Sequence, residues 1–216
     1  MTCTFEKTLA YIFDLDGTLY SQKKMHRKMA IELIRYYAIR LYKIKDIYYI
    51  WKFRRLREIK TNKKSSIDEL IGSMGGSDSK RSYIYSVIDK WMFKEPLRLI
   101  KSCAYTDVVD FIIQEKKAKK TVVIYSDYPV KEKLCALGLE ADMEICSEDK
   151  DINELKPSYK AMSYIVESLN VGTETVIYVG DRYEKDGESA KLFNIKYYDI
   201  HDFRKQIIIG ENQCIR

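Results

Sequence analysis

The sequence predicts an α/β fold: a doubly wound parallel sheet carrying a smaller all-helical unit. Three observations predict it. Short β-rich apolar runs recur at Thr8–Phe13, Thr121–Tyr125 and Thr175–Val179, and each gives way to small or acidic residues, Asp14, Ser126 with Asp127, and Gly180 with Asp181. Helical patterns separate the second and third of these runs, and strands alternating with helices argue for a parallel sheet. Between the first and second runs, residues from about Met25 to Lys60 contain neither Gly nor Pro and place apolar side chains at helical intervals.

Taken in order, Thr8–Phe13 reads as a buried strand that ends in a polar turn, Asp14 to Leu19. Met29, Leu33, Tyr37, Leu41, Ile44, Tyr48 and Trp51 then form one apolar stripe, as one long helix or a helical hairpin would carry. A second helical piece is expected from about Lys80 to Ser102, after the turn-prone Gly72–Ser79 and broken at Pro96. Asp107–Glu115, Val130–Leu137 and Ser158–Leu169 read as helices; Gly138 stands where a helix stop is wanted and Pro157 where a start is. Ala141–Ile145 and Ile195–Tyr198 are the remaining strands, making five. The domains predicted are a core of residues 1–19 and 106–216 with a helical unit of residues 20–105.

A chain of 216 residues can bury one sizeable core and one accessory unit. With 46% hydrophobic and 32% charged residues it is expected to fold. The five cysteines are scattered and form no CxxC pair, which suggests neither a disulfide framework nor a zinc site. No secretory leader or membrane span is evident, so a cytoplasmic location is expected. The net charge of +6 is uneven: Tyr20–Ser65 holds 15 Lys or Arg against 3 acidic residues, so that segment is +12 and the rest −6.

The sharpest chemical signal is Asp14-Leu15-Asp16-Gly17-Thr18 at a strand end. Two carboxylates so placed can divide the work: one attacks phosphorus, while the other handles the leaving-group proton and then activates water. They would repel each other and a phosphate dianion unless cations sit beside them. A divalent metal and a lysine are the expected compensation. Magnesium suits an all-oxygen site, Asp181 and Asp186 would help to hold it, and Lys156 would supply the second positive charge.

Together these residues resemble the haloacid dehalogenase superfamily of hydrolases over most of the chain. The resemblance rests on DLDGT at Asp14–Thr18, Ser126 in VIYSD, Lys156 in LKP, and the acidic pair Asp181 and Asp186 in VGDRYEKD. It implies a Rossmann-like core with a mobile helical cap over the site, and a phosphatase acting on a small phosphorylated substrate. It implies Asp14 as the nucleophile that becomes an aspartyl-phosphate, Asp16 as general acid and base, Ser126 as a hydrogen-bonding partner of the phosphoryl oxygens, and Lys156 as the neutralising cation. Magnesium would be held by Asp14, the backbone carbonyl of Asp16, and Asp181, with Asp186 a ligand or its neighbour. Asp16 also disfavours dehalogenation, because a halide leaves without a proton. Asp127 departs from the pattern, since Asn often follows the Ser of the second motif; facing the substrate, it would add repulsion.

Other readings stay open at this level. A phosphomutase would use the same nucleophile. The basic, Tyr-rich insert could contact an anionic substrate, nucleic acid or an acidic membrane surface, or could be a solvated helix face over an ordinary core. No protein partner is implied. Glu184 lies near enough to Asp186 in sequence to take its place, and His26 and His201 lie in no motif. Substrate identity and oligomeric state are not legible.

Overall fold

A computed structural model describes residues 5–59 and 67–214. Lys60, Lys63 and Lys64 of the basic segment, and Cys3, lie outside the described residues. In chain order the elements are β1 (Ala10–Phe13), α1 (Gln22–Ala38), α2 (Lys45–Ile59), α3 (Ile67–Ser73), α4 (Asp78–Ile88), α5 (Glu95–Ile100), α6 (Thr106–Lys117), β2 (Thr121–Ser126), α7 (Lys131–Leu137), β3 (Met143–Cys146), α8 (Tyr159–Leu169), β4 (Val176–Gly180), α9 (Glu188–Lys191), β5 (Lys196–Asp199) and α10 (Ile200–Cys214). They divide into two compact units, one of residues up to Ser21 and from Ala104 onward, the other Gln22–Cys103.

The first unit is a five-stranded sheet in the order β3-β2-β1-β4-β5, with every pairing parallel. β1 is buried along its whole length because strands flank it on both sides and side chains cover both faces, which explains its unbroken apolar run. One face packs Ile12, Val123, Tyr125 and Tyr178 against Ala161, Met162 and Ile165 of α8. Tyr11 and Phe13 point to the other face, where Phe5, Phe111 of α6 and Phe203 of α10 meet at ring-centroid separations of 5.2 to 5.8 Å. No element is expected after Tyr198, yet α10 forms there, with Phe203 and Ile207 buried one helical turn apart.

Local signals account for several boundaries. Ser158 caps α8, its Oγ accepting from the Ala161 N–H at 3.1 Å. Gly138 ends α7 at φ 74°, the left-handed conformation a helix stop favours. Pro96 behaves otherwise than expected: the helical run continues through it into α5, and the irregularity precedes it as a π-turn over Asp89–Lys94, in which the Glu95 N–H reaches back to the Lys90 carbonyl.

The second unit is all helical, with Tyr37, Ile50, Phe53, Leu70, Ile84, Ile88 and Trp91 in its core. The apolar stripe read from the sequence does not run through it unbroken. Met29, Leu33 and Tyr37 face this core, whereas Leu41, Ile44, Tyr48 and Trp51 are exposed. A 3-10 turn at Leu41–Lys43 separates α1 from α2 and resets the helical phase, so α2 turns Asp46, Ile50, Phe53 and Arg57 inward instead. Asp46 is tolerated there because the Tyr37 and Tyr83 hydroxyls donate to its two oxygens at 3.0 and 2.8 Å. Among the described residues, no helix is long and apolar enough to cross a membrane.

Candidate active site

The strand order puts the chemistry in one place. β2 and β4 lie on opposite sides of β1, so the chain leaves the sheet in opposite directions there, and the carboxyl edge at such a switch point is open to a ligand. Asp14 follows β1, Ser126 ends β2 and Asp181 follows β4, which brings residues far apart in sequence to one edge. The Asp14 N–H donates to the Val179 carbonyl at 2.9 Å, continuing the β1–β4 ladder one residue into the site.

Lys156 is the hub. Its Nζ donates to Asp14 Oδ1 at 2.7 Å and to Asp186 Oδ1 at 2.9 Å, and its side chain is 2% exposed. The ammonium also lies 4.5 Å from the Tyr125 ring centroid, so π-electron density meets it on a further side. Burial works against its charged form, yet Asp14 and Asp186 hold it well above the ordinary lysine value. Burial likewise pushes the Asp14 carboxyl up to about 7, Lys156 pulling it down while Asp186 and Asp181 push it further up. Asp181 rises to about 6 for the same reasons, burial first and then Asp186.

Asp14, Asp181 and Asp186 each present an oxygen within 4.8 Å of the others. Three carboxylates against one buried lysine leave negative charge in excess. Asp181 Oδ1 is moreover buried without a hydrogen-bond partner. The Arg182 guanidinium stands 4.0 Å from that oxygen, too far to hydrogen-bond it, and a buried acceptor so placed beside two further carboxylates is what a hard divalent cation would satisfy, so these residues fit a metal of the magnesium type. A π-turn at Tyr183–Gly187 carries Asp186 inward, where the Arg182 N–H donates to its Oδ2 at 3.2 Å. Glu184, on the same turn, is exposed and takes no part in the cluster.

Gly17 is required by geometry. Its φ is 109°, and a Cβ there would stand 2.1 Å from Asp181 Oδ2. Gly17→Ala is therefore expected to displace Asp181 and to weaken at least about tenfold any affinity of this acidic cluster for a divalent cation such as magnesium, a steric effect on a candidate ligand. Titration calorimetry measures it; unchanged affinity would mean that Asp181 does not touch the ion.

The Asp16 carboxylate is not in the acidic cluster. It is held by Lys133 of α7, whose Nζ donates to both oxygens at 2.6 and 2.7 Å, and by the Tyr20 hydroxyl, which donates to Oδ1. Only its backbone carbonyl remains as a route to a metal. Ser126 is buried and its Oγ accepts from the Tyr128 N–H at 3.1 Å. Asp127 does not project as a bare charge: Ser147 Oγ and the Lys156 N–H donate to Oδ1 at 2.8 and 3.0 Å, and Lys185 Nζ to Oδ2 at 2.7 Å. Burial alone would raise its pKa, but Lys156 and Lys185 hold it below the usual carboxylate range. His26 and His201 are exposed. Lys133 and the anchoring role of Asp127 have no signature in the sequence.

Residues 11–200 match the sequence profile of the family described as haloacid dehalogenase-like hydrolase. None of the curated proteins matches the sequence. Among solved structures, 2-haloacid dehalogenase from Pseudomonas syringae pv. Tomato DC3000 superposes with a TM-score of 0.61 at 19% identity, covering 88% of this chain and 85% of the other. The HAD hydrolase YfnB from Bacillus subtilis, bound to magnesium, gives 0.61 at 16% identity, covering 88% and 87%. A HAD phosphatase from Thermococcus onnurineus gives 0.53 at 21% identity, covering 93% and 98%.

Proposed function

This chain belongs to the haloacid dehalogenase-like hydrolase family, and from that premise we propose that it is a magnesium-dependent phosphatase of small phosphate monoesters working through an aspartyl-phosphate. The observation that carries the reading is the division of the two aspartates. Asp14 sits against Lys156 and the acidic cluster, while Asp16 is held apart by Lys133 and Tyr20. A carbon–halogen hydrolase has no use for the second carboxyl, because halide departs without a proton. An alkoxide leaving group does need one.

In the first half-reaction an oxygen of Asp14 attacks phosphorus and the ester P–O bond breaks, while Asp16 passes its proton to the departing alcohol oxygen. In the second, Asp16 takes a proton from water as that water attacks the phosphorus, and inorganic phosphate leaves Asp14 free again. Lys156 supplies fixed positive charge throughout, and Ser126 is the candidate donor to a phosphoryl oxygen. Magnesium, held by Asp14, Asp181, Asp186 and the Asp16 carbonyl, would add positive charge facing the phosphoryl oxygens. Asp127 serves by fixing the backbone of Lys156, not by meeting the substrate.

Phosphate release from a panel of sugar phosphates, nucleotides and other monoesters, with magnesium and with chelator, tests the proposal beside halide release from 2-haloacids. Metal-dependent phosphate release is expected. Halide release alone would replace the reading with dehalogenation, and interconversion of phosphate esters without free phosphate would replace it with a mutase.

The raised carboxyls give a second check. Native Asp14 and Asp181 bind protons up to about pH 7 and 6, whereas their ordinary value is 3.8. Between those limits the native state holds more protons than the unfolded one, so this cluster's contribution to stability falls as pH rises from about 4 to 7. Magnesium competes with those protons. Its thermal stabilisation is therefore expected to be larger at pH 8 than at pH 5.5, read by melting curves with and without the ion. Equal shifts at both pH values would contradict the site.

A further inference from the structure

The exposed stripe of the helical unit has no role in the chemistry above. It runs along α1 as Ile31 and Ile34, through the turn as Ile39, Leu41, Tyr42 and Ile44, and along α2 as Tyr48 and Trp51. The two most exposed of these lie at the turn, Ile39 at 78% and Tyr42 at 77%, with Leu41 beside them at 68%. Tyr48, Trp51 and Arg55 follow one another at helical spacing on one face of α2, opposite the buried Ile50 and Phe53, with Ile44 just before the helix. A monomer rarely leaves so many large apolar side chains together in water without a partner.

Charge identifies the kind of partner. From Ile34 to Arg55 the chain has seven basic residues, Arg35, Arg40, Lys43, Lys45, Lys52, Arg54 and Arg55, and one acid, Asp46. Asp46 is buried and bound by Tyr37 and Tyr83, and Glu32, between Ile31 and Ile34, is paired with Arg35 and Arg98, so the stripe presents a strongly positive balance. Cations lie over the exposed rings: Lys43 is 5.8 Å from the Tyr42 centroid, Lys52 5.9 Å from Tyr48 and Arg55 5.3 Å from Trp51. Branched aliphatics at a turn, flanked by Tyr and Trp and ringed by Lys and Arg, match the layers of a bilayer interface: acyl boundary, headgroup and anionic surface. A second copy would bring like charge against like charge. Nucleic acid would neutralise the cations but leave Ile39 and Leu41 unpaired.

We propose that the α1–α2 turn and the adjoining face of α2 form a peripheral docking surface for an anionic lipid bilayer. The turn inserts Ile39, Leu41 and Tyr42 at the level of the headgroups, Trp51 lies in the interface, and the basic residues meet lipid charge. Full-length protein is mixed with vesicles of phosphatidylcholine alone or with about a third phosphatidylserine, at low and raised salt. Sedimentation with the anionic vesicles only is expected, reduced by salt. A blue shift of tryptophan emission should accompany it and report Trp51, since Trp91 is already buried. Ile39→Asp with Leu41→Asp should cut the bound fraction at least about tenfold, and Lys43→Gln with Lys45→Gln and Lys52→Gln should weaken the preference for anionic lipid at least about tenfold. All five side chains lie on the second unit's surface or its margin, so melting curves of both variants should match the parent. Three results would overturn the proposal: no binding to anionic vesicles at low salt, oligonucleotide binding in its place that survives the aspartate pair, or a dimer in sedimentation that the aspartate pair splits.

Discussion

Asp14→Asn should abolish turnover by at least about a thousandfold while leaving the fold standing, the scale seen when a reacting group is removed. Asparagine keeps the shape and a carbonyl oxygen for Lys156, but it cannot form the acyl phosphate. The usual objection, that the variant has merely unfolded, is met by the site's own electrostatics. Asp14 is a carboxyl whose burial pushes it up to about 7, with Asp186 and Asp181 adding repulsion, so its ionised form strains the metal-free fold above that pH. Replacing it by a neutral amide relieves that strain, while Lys156 keeps Asp186 as its partner. At pH 8 without metal, the melting temperature of the variant is therefore expected to equal or exceed the parent's. Phosphate release that persists in Asp14→Asn would remove Asp14 as nucleophile.

Lys156→Met should have the second largest effect, on stability as well as rate. The lysine is the shared cation of Asp14 and Asp186, and its removal leaves two buried carboxylates facing each other. Breaking a buried ion pair from one side costs about 3–5 kcal/mol, because the orphaned charge remains desolvated. Denaturant unfolding at pH 8 measures the loss. The loss should shrink toward pH 5.5, where Asp14 takes up a proton, and magnesium should recover part of it by supplying positive charge in place of the ammonium. The rate should not recover, since the cation that stood against Asp14 is gone. A loss below about 1 kcal/mol at pH 8 would put Lys156 in the ordinary class of surface lysines.

The parts of the site that repeat a local pattern were readable in advance. Asp14, Ser126 and Asp181 each end an apolar run, and parallel strands expose their carboxyl ends together, so periodicity alone groups them. Asp186 over Glu184 was not decidable from spacing. It depends on a π-turn whose extra residue decides which side chain turns inward. Lys133 lies 117 residues from Asp16 on a helix with one other lysine, and nothing local distinguishes it from that residue, Lys131. Whether Asp127 faces the substrate is not legible either, because its partners, Ser147, Lys156 and Lys185, come from three later segments. In the insert, the residue types were right for helix, but one short turn at Leu41–Lys43 reversed which half of a regular stripe is covered. Periodicity gives a face; it does not say when the phase restarts.

The two chain crossings between the units lie side by side. Tyr20 bridges Ala104 in antiparallel fashion, and the Tyr105 N–H donates to the Leu19 carbonyl at 2.9 Å. For the sheet, everything from Gln22 to Cys103 is thus one long loop whose ends are already clasped. Closing such a loop depends only logarithmically on its length, about 0.6 kcal/mol for each doubling. The sheet is therefore nearly indifferent to what the loop contains, and the insert is free to diverge, lengthen or be exchanged at a pace of its own while Asp14 and its neighbours stay in register.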